Sequence, residues 1–239
     1  VFLFIPILWG VKSIRGFFGK YYELIKNHWK SLFVFSFTII AIGFIQLGYW
    51  KGITGEWFFY SYDNAGEGFE FLSPYTYEFL FSFRKGWYLY TPMMLMASIG
   101  LLLTIKKKYD LGISLILFFG LNIWIVSSWS CWWYAGSFSQ RSMIQSYPEM
   151  AIGLAALISI VYERALIRNA IMSIIGFFLA LNLFQSWQFE KRVIDASRMT
   201  SDYYWAVFGR TSIPKNAKKL LMINRPSVQK TNPESIKDY

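Results

Sequence analysis

Five apolar runs, at residues 32–49, 87–105, 111–128, 147–161 with its flanks and 170–187, are each long enough to cross a hydrocarbon core as a helix. Inside lipid there is no water to satisfy a backbone N–H or C=O, so runs of this length are expected as α-helices, which pair those groups internally. The chain has 239 residues, 55% of them hydrophobic and 21% aromatic. That is far richer in rings than a usual soluble domain, and lipid is the expected sink. The expected fold class is therefore all-α: a polytopic integral membrane protein with about five full transmembrane helices. A sixth apolar run, 1–11, is too short to span alone and has no basic region ahead of it. It is expected to be the end of a truncated transmembrane helix, making the sequence the C-terminal part of a longer membrane protein.

Charge placement orients these spans. Short loops rich in Lys and Arg stay in the cytoplasm. Lys12, Arg15, Lys20, Lys26 and Lys30 precede the first full span, Lys106 to Lys108 separate the second and third, and Arg164 with Arg168 separate the fourth and fifth. All three groups are expected on the cytoplasmic side, which places loops 50–86 and 129–146 on the other face. Within 12–30 the residues Ile14, Phe17, Phe18, Tyr21, Tyr22, Ile25 and Trp29 recur at helical steps. That periodicity predicts an amphipathic helix lying on the cytoplasmic membrane surface, with His28 an interfacial residue. Residues 31–187 are then the five-span region. Residues 188–239, punctuated by Pro214, Pro226 and Pro233, are expected as a basic extracytoplasmic tail, partly ordered, with a short helix possible in 188–208.

The net charge of +10 would suggest nucleic acid in a soluble chain. Here the basic residues mostly sit at span ends and meet anionic headgroups, so no nucleic-acid partner is expected. Cys131 and His28 are the only residues of their kinds, which removes disulfides, thiolate clusters and multi-histidine metal sites. No cofactor is implied, and the residues leave a divalent metal unassigned.

Function is most legible in the loop Trp129-Ser-Cys-Trp-Trp-Tyr-Ala-Gly-Ser-Phe-Ser-Gln-Arg-Ser-Met-Ile-Gln-Ser-Tyr-Pro148. A single arginine, Arg141, follows a small, polar stretch whose backbone amides can approach an anion, and its guanidinium can fork two phosphate oxygens. With helix from Arg141 onward, Gln145 and Glu149 fall on the same face, so Glu149 is a candidate to orient the arginine. Arg141 pairing with Glu149 or a carbonyl simply to pin the loop is the competing reading. Arg84 and Lys85 enter a span from the same expected side and are candidates for the same phosphate, although paired cations at a span end commonly snorkel to headgroups. Glu56, Asp63, Glu67 and Glu70 are candidate carboxylates on that side, with solvation as their default role.

The segment Phe81-Ser-Phe-Arg-Lys-Gly-Trp-Tyr-Leu-Tyr-Thr-Pro92, followed by Trp132-Trp-Tyr-Ala-Gly-Ser-Phe-Ser-Gln-Arg-Ser142 and a Tyr-Pro opening the next span, resembles the C-terminal half of bacterial polytopic glycosyltransferases of the GT-C superfamily, kin of protein mannosyltransferases and lipid A aminoarabinose transferases. The resemblance covers 79–156 well and the rest by span pattern. It implies an enzyme of the bacterial inner membrane that transfers a sugar, with inversion, from a polyprenyl-phosphate carrier to an extracytoplasmic acceptor. By the same resemblance Arg141, Gln140, Arg84 and Lys85 hold the carrier phosphate, and Trp132, Trp133 and Tyr134 stack on sugar or isoprenoid. The catalytic carboxylate is expected before residue 1. The lipid-linked donor and membrane lipids are the implied partners. An alternative is a non-catalytic subunit whose aromatic loops and basic tail dock a protein partner on the extracytoplasmic side. A transporter fits less well, because no acidic residue lies at mid-span.

Overall fold

The computed structural model describes residues 9–11, 13–59 and 67–222. Asp63, most of the run 1–11 and the tail beyond Met222 lie outside the described residues. Those described are helical apart from turns and one isolated antiparallel bridge between Phe69 and Trp129. The α-helices are α1 (Ile14–Thr54), α2 (Thr76–Phe81), α3 (Trp87–Tyr90), α4 (Met93–Lys107), α5 (Tyr109–Ser127), α6 (Tyr147–Val161), α7 (Ala165–Glu190) and α8 (Ser201–Val207). Short 3₁₀ helices cover Arg141–Ser146 and Ala217–Leu220. Among the described residues four stretches are long and apolar enough to cross a membrane: Ile14–Thr54, Tyr109–Ser127, Arg141–Val161 and Ala165–Glu190. The chain is thus an integral membrane protein by length and composition of its helices.

Two expectations differ from what is observed. The amphipathic stretch and first span form one helix, α1, rather than two elements. Ser13 caps its start by accepting from the Gly16 amide at 3.1 Å, and Gly55 ends it in the left-handed region at φ 79. Only His28, at φ −127 and ψ 25, leaves helical geometry, so the boundary between surface and span is a kink within a continuous helix. The run 87–105 is instead broken. Pro92 has no amide to donate and disfavours helix at the residue before it, and Thr91 accordingly sits at φ −134 and ψ 65. The Thr91 hydroxyl bonds back to the Trp87 carbonyl. The remaining helix, α4, has 15 residues, about 22 Å at 1.5 Å per residue, short of a full hydrocarbon core.

By contacts the chain divides into two compact units. The first takes residues 1–74, 96–131 and 146–160. In it α4 and α6 meet through Gly100 and Gly153, where a side chain on either glycine would collide with the other helix's backbone. The ring-rich loop after α1 is tied to the end of α5: the Glu70 amide donates to Ser128 at 2.7 Å, Ser130 to Gly68 at 2.8 Å, and the Trp124 indole to Phe71 at 3.2 Å. No residue of α1 is buried, and its apolar surface is what a lipid-facing helix presents.

The second unit takes residues 75–95, 132–145 and 161–239. Its core is Tyr90, Val193, Ile194, Met199, Tyr203, Tyr204, Val207 and Ala217, so all but Tyr90 come from the segment expected as a partly ordered tail. Three carboxamides at three-residue steps on α7 fasten this core. Asn182 donates to the Tyr90 carbonyl at 2.8 Å, Gln185 to the Tyr204 hydroxyl at 3.0 Å, and Gln188 to the carbonyls of Val207 at 2.9 Å and Arg210 at 2.7 Å. Gln188 is buried and satisfies two carbonyls at once. Gln188→Leu therefore leaves both acceptors without a donor and should cost about 2 to 4 kcal/mol. Thermal unfolding of the detergent-solubilised variant checks this, and a midpoint equal to wild type would contradict it.

Candidate functional site

The loop 132–141 and the segment 82–90 belong to the same unit, and the two basic residues of that segment hold the loop. Gly86 makes the turn between α2 and α3 possible. A Cβ there would lie 2.6 Å from the Ser82 carbonyl oxygen, which instead accepts the Gly86 amide. The turn sends Arg84 and Lys85 to different partners.

The Lys85 side chain is 2% exposed, and Lys85 is the only buried lysine or arginine among the described residues. Its ammonium donates to the Ala135 carbonyl at 2.9 Å, to the Ser137 carbonyl, and to Ser137 Oγ at 3.3 Å. Ser137 Oγ in turn donates to the Ser139 carbonyl at 3.3 Å. The loop around these acceptors is unusual: Tyr134, Ala135 and Ser139 all take left-handed backbone geometry, at φ 47, 52 and 48. Each such non-glycine residue costs on the order of 1 kcal/mol. An ammonium at the centre of the turn offsets that cost.

Arg84 is fixed from two directions. Its guanidinium carbon lies 3.6 Å from the centre of the Trp133 ring, and its Nε donates to the Ser197 carbonyl at 2.8 Å. Trp132 is buried and meets Trp133 edge-on at 5.9 Å, while Tyr134 meets Phe79 edge-on at 6.5 Å. Arg84 also lines an open groove of about 400 Å³ together with the rings of Tyr77, Phe81 and Phe83. Arg141 is exposed at the start of the 3₁₀ turn. Its charge reaches Lys85: burial first, then Arg84 and Arg141, push the Lys85 ammonium down to about 7, against an opposing pull from Asp195. Arg84 and Arg141 therefore both lie within electrostatic reach of Lys85.

Gln140 is 1% exposed. Its Nε2 reaches the Phe79 carbonyl at 3.5 Å, and its Oε1 has no hydrogen-bond partner among the described residues. Burial pushes the Tyr134 hydroxyl up to about 12, with Ser142 and Arg141 acting in the opposite sense. Glu149 lies in the first unit, buried on α6, with Oε2 likewise without a partner among the described residues. Glu56, Glu67 and Glu70 also belong to the first unit.

One residue that sequence reading passed over is Asp195. Its Oδ1 accepts the Ser197 amide at 3.0 Å and the Arg198 amide at 2.8 Å, and its Oδ2 takes the Arg198 guanidinium at 3.2 Å, the one ion pair among the described residues. Burial pushes the Asp195 carboxyl up, but these donors outweigh it and hold the group below the usual carboxylate range. The turn it builds presents the Ser197 carbonyl to Arg84. Asp-Ala-Ser-Arg at 195–198 is a readable side-chain-to-backbone turn signal, though nothing in it names the partner. Among the described residues no three of His, Cys, Asp and Glu come together as metal ligands.

No protein-family model matches this chain, and comparison with curated proteins and with solved structures gives no match.

Proposed function

We propose that this chain is part of a bacterial inner-membrane glycosyltransferase that takes a sugar from a polyprenyl-phosphate carrier and passes it to an extracytoplasmic acceptor. The observation that carries the reading is Arg84. Its guanidinium stacks on Trp133 and donates to Ser197, and it borders a groove in which the rings of Tyr77, Phe81 and Phe83 and two methionines alternate with Glu78 and three hydroxyl residues. A cation beside a partly apolar wall suits a ligand with a phosphate at one end and isoprene at the other.

Arg141, exposed and close enough to act on Lys85, adds the second charge. In the transfer the sugar C1–O bond to phosphate breaks, the acceptor oxygen bonds to C1 from the opposite face, and the phosphate departs with both electrons. Arg84 and Arg141 stabilise that developing negative charge. The acceptor proton goes to a carboxylate base, which on the GT-C reading belongs to an early extracytoplasmic loop. Trp133 and Tyr134, both partly exposed, supply the ring surface beside the phosphate, whereas Trp132 and Gln140 are buried and help to fix the loop.

Titrating the purified protein with farnesyl phosphate while following tryptophan fluorescence tests the reading. Saturable binding that farnesol, lacking the charge, does not reproduce is expected. Equal binding of both compounds would favour the non-catalytic docking subunit.

A further inference from the structure

Among Arg84, Lys85 and Arg141, Lys85 is the cation whose donors are all spent inside the protein. Its three acceptors lie on Ala135 and Ser137, in the part of the loop bracketed by the left-handed residues Tyr134, Ala135 and Ser139. Its neighbour Arg84 grips Trp133 in the same loop. Two consecutive residues thus clamp the loop at its aromatic start and at its middle, leaving Arg141 at its end.

We infer that Lys85 is a positioning residue: its ammonium is the internal cation around which the loop folds, and by holding Ala135 and Ser137 it sets where Trp133 and Arg141 meet a polyprenyl phosphate. The ligand half of this inference rests on the phosphate-carrier reading; the loop half does not. The arrangement is the usual way a flexible turn recruits a cation, with carbonyl oxygens converging on positive charge, except that here the cation is covalently tethered. A bound phosphate adds negative charge near the ammonium and favours its protonated form, so ligand and proton assist each other.

The charged groups acting on Lys85 are Arg84 on its own segment, Arg141 on the 3₁₀ turn and Asp195 after α7. Asp195 is largely occupied by the Ser197 and Arg198 amides and the Arg198 guanidinium, so the two arginines outweigh it. The signs of the two pH effects are opposite. The folded chain gives up the Lys85 proton near pH 7, whereas the unfolded chain keeps it to the ordinary lysine value of 10.5. The unfolded state binds more protons in that window, so this group's contribution to global stability rises with pH above about 7. Anion affinity goes the other way, because a bound phosphate is attracted to the ammonium and not to the neutral amine.

The test uses the full chain in nanodiscs, as wild type, Lys85→Ala and Lys85→Arg, with farnesyl phosphate as the probe. Hydrogen exchange reports the loop amides. Lys85→Ala should weaken farnesyl phosphate binding about tenfold or more and speed exchange across 135–141, and methylammonium should partly restore both. Relative to Lys85→Arg at the same pH, so that the probe's own ionisation at about pH 6 cancels, wild-type affinity should fall between about pH 6 and pH 8. Unchanged loop exchange in Lys85→Ala with affinity within about twofold of wild type, or a flat ratio of wild type to Lys85→Arg, would overturn the inference. Should Lys85→Ala fail to insert, the wild-type profile and the Lys85→Arg variant still decide it: arginine cannot deprotonate, so a fall in affinity retained in that variant would overturn the assignment to Lys85. Absence of farnesyl phosphate binding by wild type at any pH overturns the carrier reading, and loop exchange in Lys85→Ala then judges the positioning role on its own.

Discussion

Arg141→Ala is expected to lower sugar transfer from a polyprenyl-phosphate donor by about 10² to 10³, with the protein still inserted and folded. The side chain is exposed and stands at the end of a loop whose shape is held elsewhere, by Lys85 and Arg84, so its removal takes away charge rather than structure. Its proposed role is strongest when the departing phosphate carries most charge, so the loss should appear in kcat at least as much as in KM. Arg141→Lys should recover part of the rate, because a point charge remains while the two-pronged geometry does not. A second consequence separates this role from a merely structural one. Arg141 is one of the charges that depress the Lys85 ammonium, so its removal should move the pH at which Lys85 loses its proton upward from about 7. Transfer assays in membranes, with protease accessibility as the insertion control, check the first point; activity equal to wild type would remove Arg141 from the site.

Gly100→Leu should be the most damaging single change to the fold. A Cβ at Gly100 would lie 2.5 Å from the Gly153 carbonyl carbon, and a Cβ at Gly153 would meet the Leu101 amide nitrogen at 3.0 Å and come closer still to the Ala97 carbonyl oxygen. Neither obstacle is the end of a movable side chain, so α4 and α6 would have to separate. Separation would loosen the packing of the buried neighbours Ala97, Leu101, Met150 and Ala156. A loss of about 3 kcal/mol or more is expected, against which leucine's better helix propensity returns only about 1 kcal/mol. Gly120→Ala on α5 is the contrasting case, since nothing lies within 4 Å of the added carbon. It should be neutral or slightly stabilising. Unfolding of both variants in the same detergent decides the matter, and equal behaviour would contradict the close approach of α4 and α6.

Apolar periodicity made the long helices readable. Runs 32–49 and 170–187, and 111–128 but for its last residue, lie within helices long and apolar enough to cross a membrane, because such a run has few other ways to pair its backbone in lipid. Pro92, visible in the sequence, was outweighed by the apolar residues on either side of it, yet its ring and missing amide ended the helix there. The candidate cations were legible by type, since Arg84, Lys85 and Arg141 stand out among rings and small residues. Their separate partners were not legible. Which carbonyls an ammonium meets depends on loop backbone angles, and those at Tyr134, Ala135 and Ser139 follow no local propensity. Asn182 and Gln185 read only as scarce polar residues within a span, yet they fasten the core of the second unit.

By itself the sequence determined that this chain is helical and made for lipid, and that its cations gather beside aromatic loops, because hydrophobic run length and residue type act locally. Tertiary structure alone decided that residues 193–221 would carry a core, that Lys85 would be buried among carbonyls while Arg84 faces a groove, and that two glycines would bring α4 and α6 into contact. Those outcomes rest on contacts between residues tens of positions apart, whose energies exist only once the backbone has brought them together.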